Sequence, residues 1–331
     1  GLLAVIISLF LSTFTLFAQG PTLLTHADFE QGIPAGWTVS SSANVATTTE
    51  IASTGTKSLR MTPASSEVII TSPEFTITPG CATRLEFSHI PILENQKGGR
   101  VEVKKPNGTW QTLSLNGVQM PNCYDPSYGS GYAQFNGSFF KTMYWTGNAS
   151  VPIADLDQSY WRNEIFYLYS TLGGTATSVQ IRFILPQTTG TAANFTGWFL
   201  DDVRLYVAST PGDEIRVPQL KNLLQYPSLE MFPTCSDVPI RLDVRDAQGA
   251  MSTDADAVVV EYFFGDETTP QQVNLTKDPT NQNIYEGLIP FNGFGSQIKW
   301  RVIMRDLKGN QLTYPYVYGH YNEYTAIRPY V

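Results

Sequence analysis

Histidine is rare in this chain of 331 residues and occurs only at His26, His89 and His320. These histidines do not have the spacing of a zinc-peptidase motif, and the sequence has no Gly-x-Ser-x-Gly segment for the nucleophile turn of a hydrolase. Gly293-Phe294-Gly295 lacks the third glycine of a dinucleotide-binding loop. We therefore predict no catalytic residues. The carboxylate pair of a glycoside hydrolase has no sequence signature, so the 29 acidic residues leave that alternative open.

Charge is also scarce, and positive charge most of all. Charged residues make up 15% of the chain, with 21 Lys and Arg against 29 Asp and Glu, for a net charge of −8. A typical soluble protein has roughly 25% charged residues. Binding to nucleic acid requires clustered basic side chains, so we exclude nucleic acid as a partner. An acidic surface is instead suited to divalent cations.

The three cysteines are too few and too widely spaced for a zinc motif. They are Cys81, Cys123 and Cys235. In an oxidising compartment they allow one disulfide with one thiol left over. Cys81 and Cys123 are the better candidates for a pair because they share the first predicted domain; three unpaired thiols are the alternative.

The first 18 residues have the pattern of a secretory signal peptide. Residues 2–17 are almost wholly apolar, and Ala18-Gln19-Gly20 provides a cleavage zone of small residues. A membrane anchor is the alternative, but 16 residues are short for a span of about 20. We therefore expect an extracellular or cell-surface protein without stable membrane insertion after cleavage.

Helical periodicity is nearly absent from the rest of the chain, whereas alternation of apolar and polar residues recurs. It is clearest in residues 179–185, 240–244 and 298–304, and polar turns separate such segments. A period of two indicates strands with one buried face. The pattern predicts an all-β protein with two β-sandwich domains, one at residues 19–208 and the other at 209–331.

The first domain resembles the cleaved-adhesin and MAM-like jelly rolls (the choice-of-anchor type) of secreted bacterial surface proteins. The resemblance rests on an ordered set of short segments at residues 28–30, 36–37, 53–59, 72–75, 85–89, 99–103, 161–168, 181–183 and 197–203. The chain departs from the MAM pattern in its cysteines, and from the family in an aromatic insert at about 121–150.

The resemblance implies a calcium ion at the edge of this jelly roll. Carried over to this sequence, it gives Glu30 and Asp201 as carboxylate ligands. The carbonyl of Asp28 and the carbonyls of the loop from Thr54 to Lys57 complete the oxygen set. Calcium binds mixed sets of carboxylate and carbonyl oxygens of this kind.

Strand alternation predicts that the two neighbouring aspartates lie on opposite faces of the strand. Val203 and Leu205 should face inward, which places Asp201 on the buried face and Asp202 on the outer face. We therefore expect Asp201→Asn to destabilise the protein more than Asp202→Asn. A buried carboxylate requires a partner, and a cation would provide one. The alternatives are backbone N–H donors or the side chain of Arg182.

The second domain resembles the Ig-like modules that follow such jelly rolls in secreted bacterial proteins. The matching segments are residues 239–246, 261–262, 285–290, 298–306 and 309–310. They are core and turn positions, so the resemblance implies a fold and no activity.

The aromatic insert is the predicted ligand-binding surface. Its candidate residues are Tyr132, Tyr144 and Trp145, because exposed aromatic rings stack on sugar rings or anchor protein interfaces. The alternative is a long loop that packs its own aromatic side chains over a sheet.

Taken together, the sequence predicts a non-enzymatic, secreted or cell-surface adhesion protein that recognises a glycan or a surface protein through a calcium-stabilised jelly roll. Two alternatives stay open. The chain could be the accessory region of a secreted hydrolase or peptidase, or a structural spacer in a surface filament.

Overall fold

The structure is a computed structural model that describes residues 20–92, 99–113, 134–135, 152–187, 196–213, 215–227, 237–246, 251–290, 292–293, 297–314 and 322–325. Within these ranges the protein is almost entirely β, as predicted. Helical structure is limited there to α1 (Tyr169–Leu172) and two short 3-10 turns at Ile153–Asp155 and Gln158–Tyr160. The described residues contain no helix long and apolar enough to span a membrane. The predicted signal peptide at 1–18 lies outside the described residues.

In the part of the chain that the structure describes, fourteen strands precede residue 208. In chain order they are β1 (Thr22–Ala27), β2 (Thr38–Val39), β3 (Val45–Thr48), β4 (Ser58–Met61), β5 (Val68–Thr71), β6 (Phe75–Thr76), β7 (Thr83–Ile92), β8 (Gly99–Lys104), β9 (Trp110–Thr112), β10 (Gln134–Phe135), β11 (Arg162–Tyr167), β12 (Ser178–Val179), β13 (Ile181–Leu185) and β14 (Gly197–Val207).

These strands form two antiparallel six-stranded sheets that pack face to face. The first sheet has the order β11-β7-β14-β4-β3, with β1 also paired to β14, and the second has the order β10-β8-β13-β5-β2, with β9 paired to β8. Strands β6 and β12 form a separate pair. The predicted alternating segment at 179–185 is confirmed as β12 and β13.

Aromatic rings fill the space between the two sheets. Phe87 on β7 lies 5.1 Å from Phe183 on β13 and 6.0 Å from Phe166, measured between ring centroids. Trp198 on β14 also contacts Phe183, at 5.8 Å. All four side chains are buried. Each such ring removes a large apolar area from water, so this cluster contributes much of the stability of the first sandwich.

The first sandwich is closed by its own two ends. Strand β1 pairs antiparallel with β14, so that Ala27 lies opposite Val203 and Thr22 lies opposite Val207. Glu30, just after β1, and Asp201 on β14, which the resemblance assigns to one calcium site, therefore lie in one folded unit.

Nine further strands of the described residues follow residue 208. They are β15 (Gln219–Gln225), β16 (Val238–Arg245), β17 (Val258–Phe264), β18 (Gln271–Asn274), β19 (Thr276–Lys277), β20 (Ile284–Ile289), β21 (Gln297–Arg305), β22 (Gln311–Tyr314) and β23 (Asn322–Thr325).

These nine strands form a four-stranded sheet, β15-β16-β20-β19, and a five-stranded sheet, β18-β17-β21-β22 with β23 paired to β21. The predicted alternating segments at 240–244 and 298–304 are confirmed as β16 and β21. Tyr285 from the first of these sheets and Trp300 from the second are among the largest buried side chains of their shared core. In the described chain no strand of this set pairs with a strand before residue 208, while the predicted boundary itself stays a prediction.

A buried arginine connects the two sets of strands. The guanidinium of Arg84 on β7 donates a hydrogen bond to Asn310 Oδ1 at 3.0 Å and another to the carbonyl of Ile215. It also pairs with Glu86 at 2.7 Å. A buried arginine with these partners helps to hold the contacting segments in place, because breaking any contact leaves a charge in a site that water does not reach.

One histidine is buried inside the first sandwich. Trp198 donates its indole N–H to His89 Nδ1 at 3.1 Å, and His89 Nε2 lies 3.6 Å from Glu164 Oε1. Complete burial, together with the nearby charge of Arg162, lowers the pKa of His89 to about 3. The imidazole is therefore neutral in the folded protein at physiological pH, and its contact with Glu164 is not an ion pair.

This burial predicts a specific loss of stability in mild acid. Between pH 7 and pH 5 the unfolded chain binds a proton at His89 that the folded protein excludes, so the free energy of unfolding falls as the pH is lowered. With an unfolded pKa of about 6.5, the loss from this group is about 2 kcal/mol. Urea unfolding at both pH values should show a smaller loss in His89→Gln than in the unsubstituted protein. Equal losses in the two proteins would contradict the neutral buried imidazole.

Candidate functional site

A β-bulge in β14 determines where the two neighbouring aspartates lie. Asp201 is opposite Ser88 on β7, but the next pair in register is Arg204 with Glu86. Two residues of β14 therefore lie opposite one residue of β7, and Asp202 has a left-handed φ of 50°. Alternation is interrupted at this point, and both aspartates are fully buried. The expectation that Asp202 points outward is wrong, because alternation holds only in an unbulged strand.

The hydrogen bonds that the first aspartate accepts within the described residues all come from backbone N–H groups. Asp201 Oδ2 accepts hydrogen bonds from the backbone N–H of Ser53 at 2.8 Å and of Thr54 at 3.3 Å. Asp201 Oδ1 accepts one from the N–H of Asp202 at 2.8 Å. Burial and the neighbouring Asp202 carboxylate raise the pKa of Asp201 to about 7, against the lowering effect of these three donors.

The second aspartate has a cationic partner, Arg204, and two further hydrogen-bond partners. Asp202 Oδ1 lies 2.8 Å from His26 Nε2 on β1 and accepts a hydrogen bond from the Arg204 guanidinium at 2.7 Å. Its Oδ2 accepts a hydrogen bond from the Thr54 hydroxyl at 2.8 Å. Burial acts to raise the pKa of Asp202, but the His26 hydrogen bond, the charge of Arg204 and the Thr54 hydroxyl hold it below its usual range.

Glu30 holds the other end of the same loop, which we call the edge loop (residues 53–57). Glu30 Oε1 accepts hydrogen bonds from the N–H groups of Thr56 and Lys57, both at 2.8 Å, and Oε2 accepts one from the Thr56 hydroxyl. The two backbone donors, first Lys57 and then Thr56, lower the pKa of Glu30. Glycine is required at residue 55, directly before these two donors. A Cβ there would lie 2.4 Å from Glu30 Oε1, and the φ of Gly55 is +65°.

The structure therefore brings the predicted metal residues to one edge. The resemblance gives the carbonyl oxygens of the loop from Thr54 to Lys57 as calcium ligands, and that assignment stays a prediction. The N–H groups of Thr54 and Lys57 donate to the carboxylates. Lys57 also donates its ammonium group to the Glu30 carbonyl at 2.9 Å. Asp28 accepts the N–H of Glu30 through Oδ1 at 3.2 Å. We call Glu30, Asp201 and Asp202 the acidic clamp.

A comparison of donors with acceptors tests whether this edge fits calcium. Calcium takes roughly six to eight oxygen ligands. Among the residues that the structure describes, no group of three or more His, Cys, Asp or Glu side chains is placed to hold a metal. One feature of the edge does fit a cation. Asp201 is a buried carboxyl group beside a second carboxylate, and its pKa is raised. Of the two alternatives weighed for Asp201, backbone N–H donors are observed, while Arg182 instead donates to Glu102 at 2.8 Å.

Sequence reasoning missed His26 as part of this edge. His26 lies opposite Arg204 in the β1–β14 ladder, so its ring reaches Asp202 from the neighbouring strand. The sequence signal was present, since His26 is two residues before Asp28, but the bulge that turns Asp202 toward it has no sequence signature.

The predicted ligand residues Tyr132, Tyr144 and Trp145 lie outside the described residues, so that hypothesis stays a prediction. The same holds for the pairing of Cys81 with Cys123: Cys81 is buried and has no disulfide partner among the described residues, while Cys123 and Cys235 lie outside the described ranges.

A cleft of about 730 Å³ lies on another edge of the first sandwich. One wall is formed by the start of β7 around Thr83, a second by the end of β11 and α1 around Tyr169, and a third by the segment that leaves β14, around Asp213. Backbone contacts hold this last wall in place, with Gly212 N–H donating to the Gly80 carbonyl at 3.3 Å. Its volume is within the range of small-molecule sites.

The cleft contains recognition groups and no acid–base pair in its described lining. Tyr169 is 47% exposed there. Asp213, the carboxylate of that lining, accepts hydrogen bonds from Lys308 at 2.9 Å and from the Thr210 hydroxyl at 2.5 Å, which lower its pKa. The Thr83 hydroxyl is buried and has no hydrogen-bond partner in the described chain.

Comparison with known proteins gives neither a matching family model nor a matching curated protein. Among solved structures, the chain is similar to the CBM22-1 xylan-binding domain of Paenibacillus barcinonensis Xyn10C, with 14% identity and a TM-score of 0.36, over 58% of this chain and 99% of that one. It is similar to the K3 cleaved adhesin domain of Lys-gingipain from Porphyromonas gingivalis w83, with 18% identity and a TM-score of 0.34, over 56% and 99%. It is also similar to the CBM22-1-CBM22-2 tandem domain of Xyn10C, with 12% identity and a TM-score of 0.34, over 94% and 92%.

Each of these three matches has an identity below 20% and a TM-score below 0.4. At such values the matches carry no argument about this chain, and what those proteins bind is a property of those proteins. The cleaved-adhesin, MAM-like and Ig-like assignments stay predictions.

The contacts of the acidic clamp predict that Asp202→Asn destabilises the protein more than Asp201→Asn, the reverse of the order expected from strand alternation. Asp202→Asn removes the charged acceptor of the hydrogen bonds from Arg204, His26 and Thr54, and hydrogen bonds to a charged group contribute about 1.5–3 kcal/mol each. Asp201→Asn should cost less at pH 7, because a carboxyl with a pKa of about 7 is already half protonated. Urea unfolding at pH 7 with a chelator measures both. A larger loss in Asp201→Asn would mean that Asp202 lacks the contacts described.

Proposed function

We propose that this chain is an exported binding protein, at the cell surface or outside the cell, that recognises a glycan or a surface protein and catalyses no reaction. The observation that carries the proposal is the open cleft beside Thr83, Tyr169 and Asp213. It combines an exposed aromatic ring with polar groups on a rigid sandwich edge, which is the usual composition of a binding site.

The state of the cleft carboxylate supports binding over catalysis. Acid–base catalysis requires a titratable group that is within reach of the substrate and has a pKa near the working pH. Asp213 is held in its charged form by Lys308 and Thr210. A carboxylate with a lowered pKa and two partners is a poor proton donor at neutral pH.

Export and domain type belong to the same proposal. The apolar run at residues 2–17 supports a secretory signal peptide. The two six-stranded sheets support a jelly roll of the adhesin type, and the four- and five-stranded sheets that follow support an Ig-like module.

We also propose that calcium binds at the acidic clamp. Asp201 and Asp202 are adjacent, buried carboxyl groups whose charges repel when both are ionised, and only Asp202 has a cationic side-chain partner, Arg204, in the described chain. A divalent cation beside Asp201 would offset this repulsion and supply the positive charge that the N–H donors do not carry. Glu30 lies at the other end of the edge loop and would contribute a second carboxylate.

If calcium binds there, millimolar calcium should raise the melting temperature relative to a chelator. A ligand specific for the folded state stabilises by about 2.7 kcal/mol at a hundredfold excess over its Kd. Differential scanning calorimetry should show the shift in the unsubstituted protein and in Glu50→Gln, whose carboxylate pairs with Arg60 away from the clamp. Asp201→Asn should lose it. Identical melts with calcium and chelator would contradict the calcium site.

The binding function itself is tested by screening the full chain against a glycan array and against intact cell surfaces. Saturable binding to a defined glycan or surface protein supports the proposal. A chain that binds neither, at concentrations up to the high micromolar range, would contradict it and favour a spacer.

A further inference from the structure

The cleft of the first sandwich has features that point to one class of ligand. This step rests on the proposed binding function and makes it more specific. We infer that the cleft binds a saccharide, with the ring of Tyr169 as the surface on which a sugar ring stacks.

The position of Tyr169 suits stacking. It is the first residue of α1, directly after the strand-to-helix connection from β11, and 47% of it is exposed although it lines a concave site. Aromatic rings offer a large flat contact area at a low cost in conformational entropy. The apolar face of a sugar ring is a flat surface of matching size, whereas its hydroxyl groups require polar partners around the edge.

Gly174 sets the position of this ring. A Cβ at residue 174 would lie 2.9 Å from the Tyr169 hydroxyl oxygen, closer than real side chains approach. The neighbouring contact is the far end of a side chain, so an alanine there would move the ring without disturbing the backbone. Gly174→Ala is therefore a way to displace the Tyr169 ring without removing it.

A second observation also indicates a polar ligand. Thr83 belongs to the lining of the cleft and is 1% exposed, and its buried Oγ1 has no hydrogen-bond partner among the described residues. Buried hydroxyl groups nearly always have a partner. A ligand hydroxyl within the cleft would supply it, and sugars carry such groups at each ring position.

The charge of the cleft favours a saccharide over an acidic or a basic peptide. Asp213 is compensated by Lys308, and the lining also includes the cationic Arg216, so the described lining has no unbalanced carboxylate to attract a cationic peptide. The protein as a whole has a net charge of −8, which repels strongly anionic ligands at long range.

The test uses the full chain and defined oligosaccharides. Isothermal titration with neutral hexose and pentose oligosaccharides, and with a uronic acid series, first identifies a bound sugar. Tyr169→Ala should then weaken binding at least tenfold, while Tyr169→Phe keeps the ring and should stay within about threefold. Gly174→Ala and Thr83→Val should each weaken binding severalfold. Tyr226→Ala removes a partly exposed tyrosine of the second set of strands and should leave the affinity unchanged.

The outcomes separate this inference from the proposed function. Loss of sugar binding in Tyr169→Ala, with an unchanged melting temperature, supports both. Sugar binding that is unaffected by Tyr169→Ala, Gly174→Ala and Thr83→Val overturns the cleft assignment and leaves the binding function standing. Binding of a surface protein with no binding of any sugar also overturns the saccharide inference alone. Failure to bind either class overturns both.

Discussion

The first sandwich depends on carboxylates that hold a loop by its backbone. Glu30 follows β1, Asp201 and Asp202 lie on β14, and the edge loop between them donates N–H groups from both of its ends. Residues more than 140 positions apart are thereby connected at one edge. Hydrogen bonds to charged acceptors are stronger than those between neutral groups, so a loop without strand partners still has a defined conformation.

The pairing of β1 with β14 also determines how the chain leaves the sheet toward the cleft. Because β1 pairs with β14 as far as Val207, the chain leaves the sheet at a defined point and direction. The segment that follows packs on Gly80 and Ala82, and Arg84 and Lys308 hold it further along. It thereby becomes one wall of the cleft that contains Tyr169. The proposed binding site is thus built by the same strand whose bulge forms the acidic clamp.

The all-β fold was predictable from local pattern, because alternation and turn residues are properties of short segments. The meeting of the two ends was predictable from their acidic residues and from the family resemblance. The grouping of Glu30, Asp201 and the edge loop was also predictable, through family resemblance. Three features were not. The bulge at Asp202 breaks the periodicity on which the facing argument depended. The participation of His26 depends on the register of β1. The cleft is formed by three distant segments, none of which has a motif of its own.

The central claim is that the edge loop is held through its amide groups. The most direct measurement is native-state hydrogen exchange of the Ser53, Thr56 and Lys57 amides, resolved by NMR. Their described hydrogen bonds end on side-chain carboxylates, so we predict exchange slowed to rates comparable with those of neighbouring strand amides. Glu30→Gln should speed exchange at Thr56 and Lys57 and leave Ser53 slow. Exchange of all three at the rate of an exposed loop in the unsubstituted protein would contradict the account.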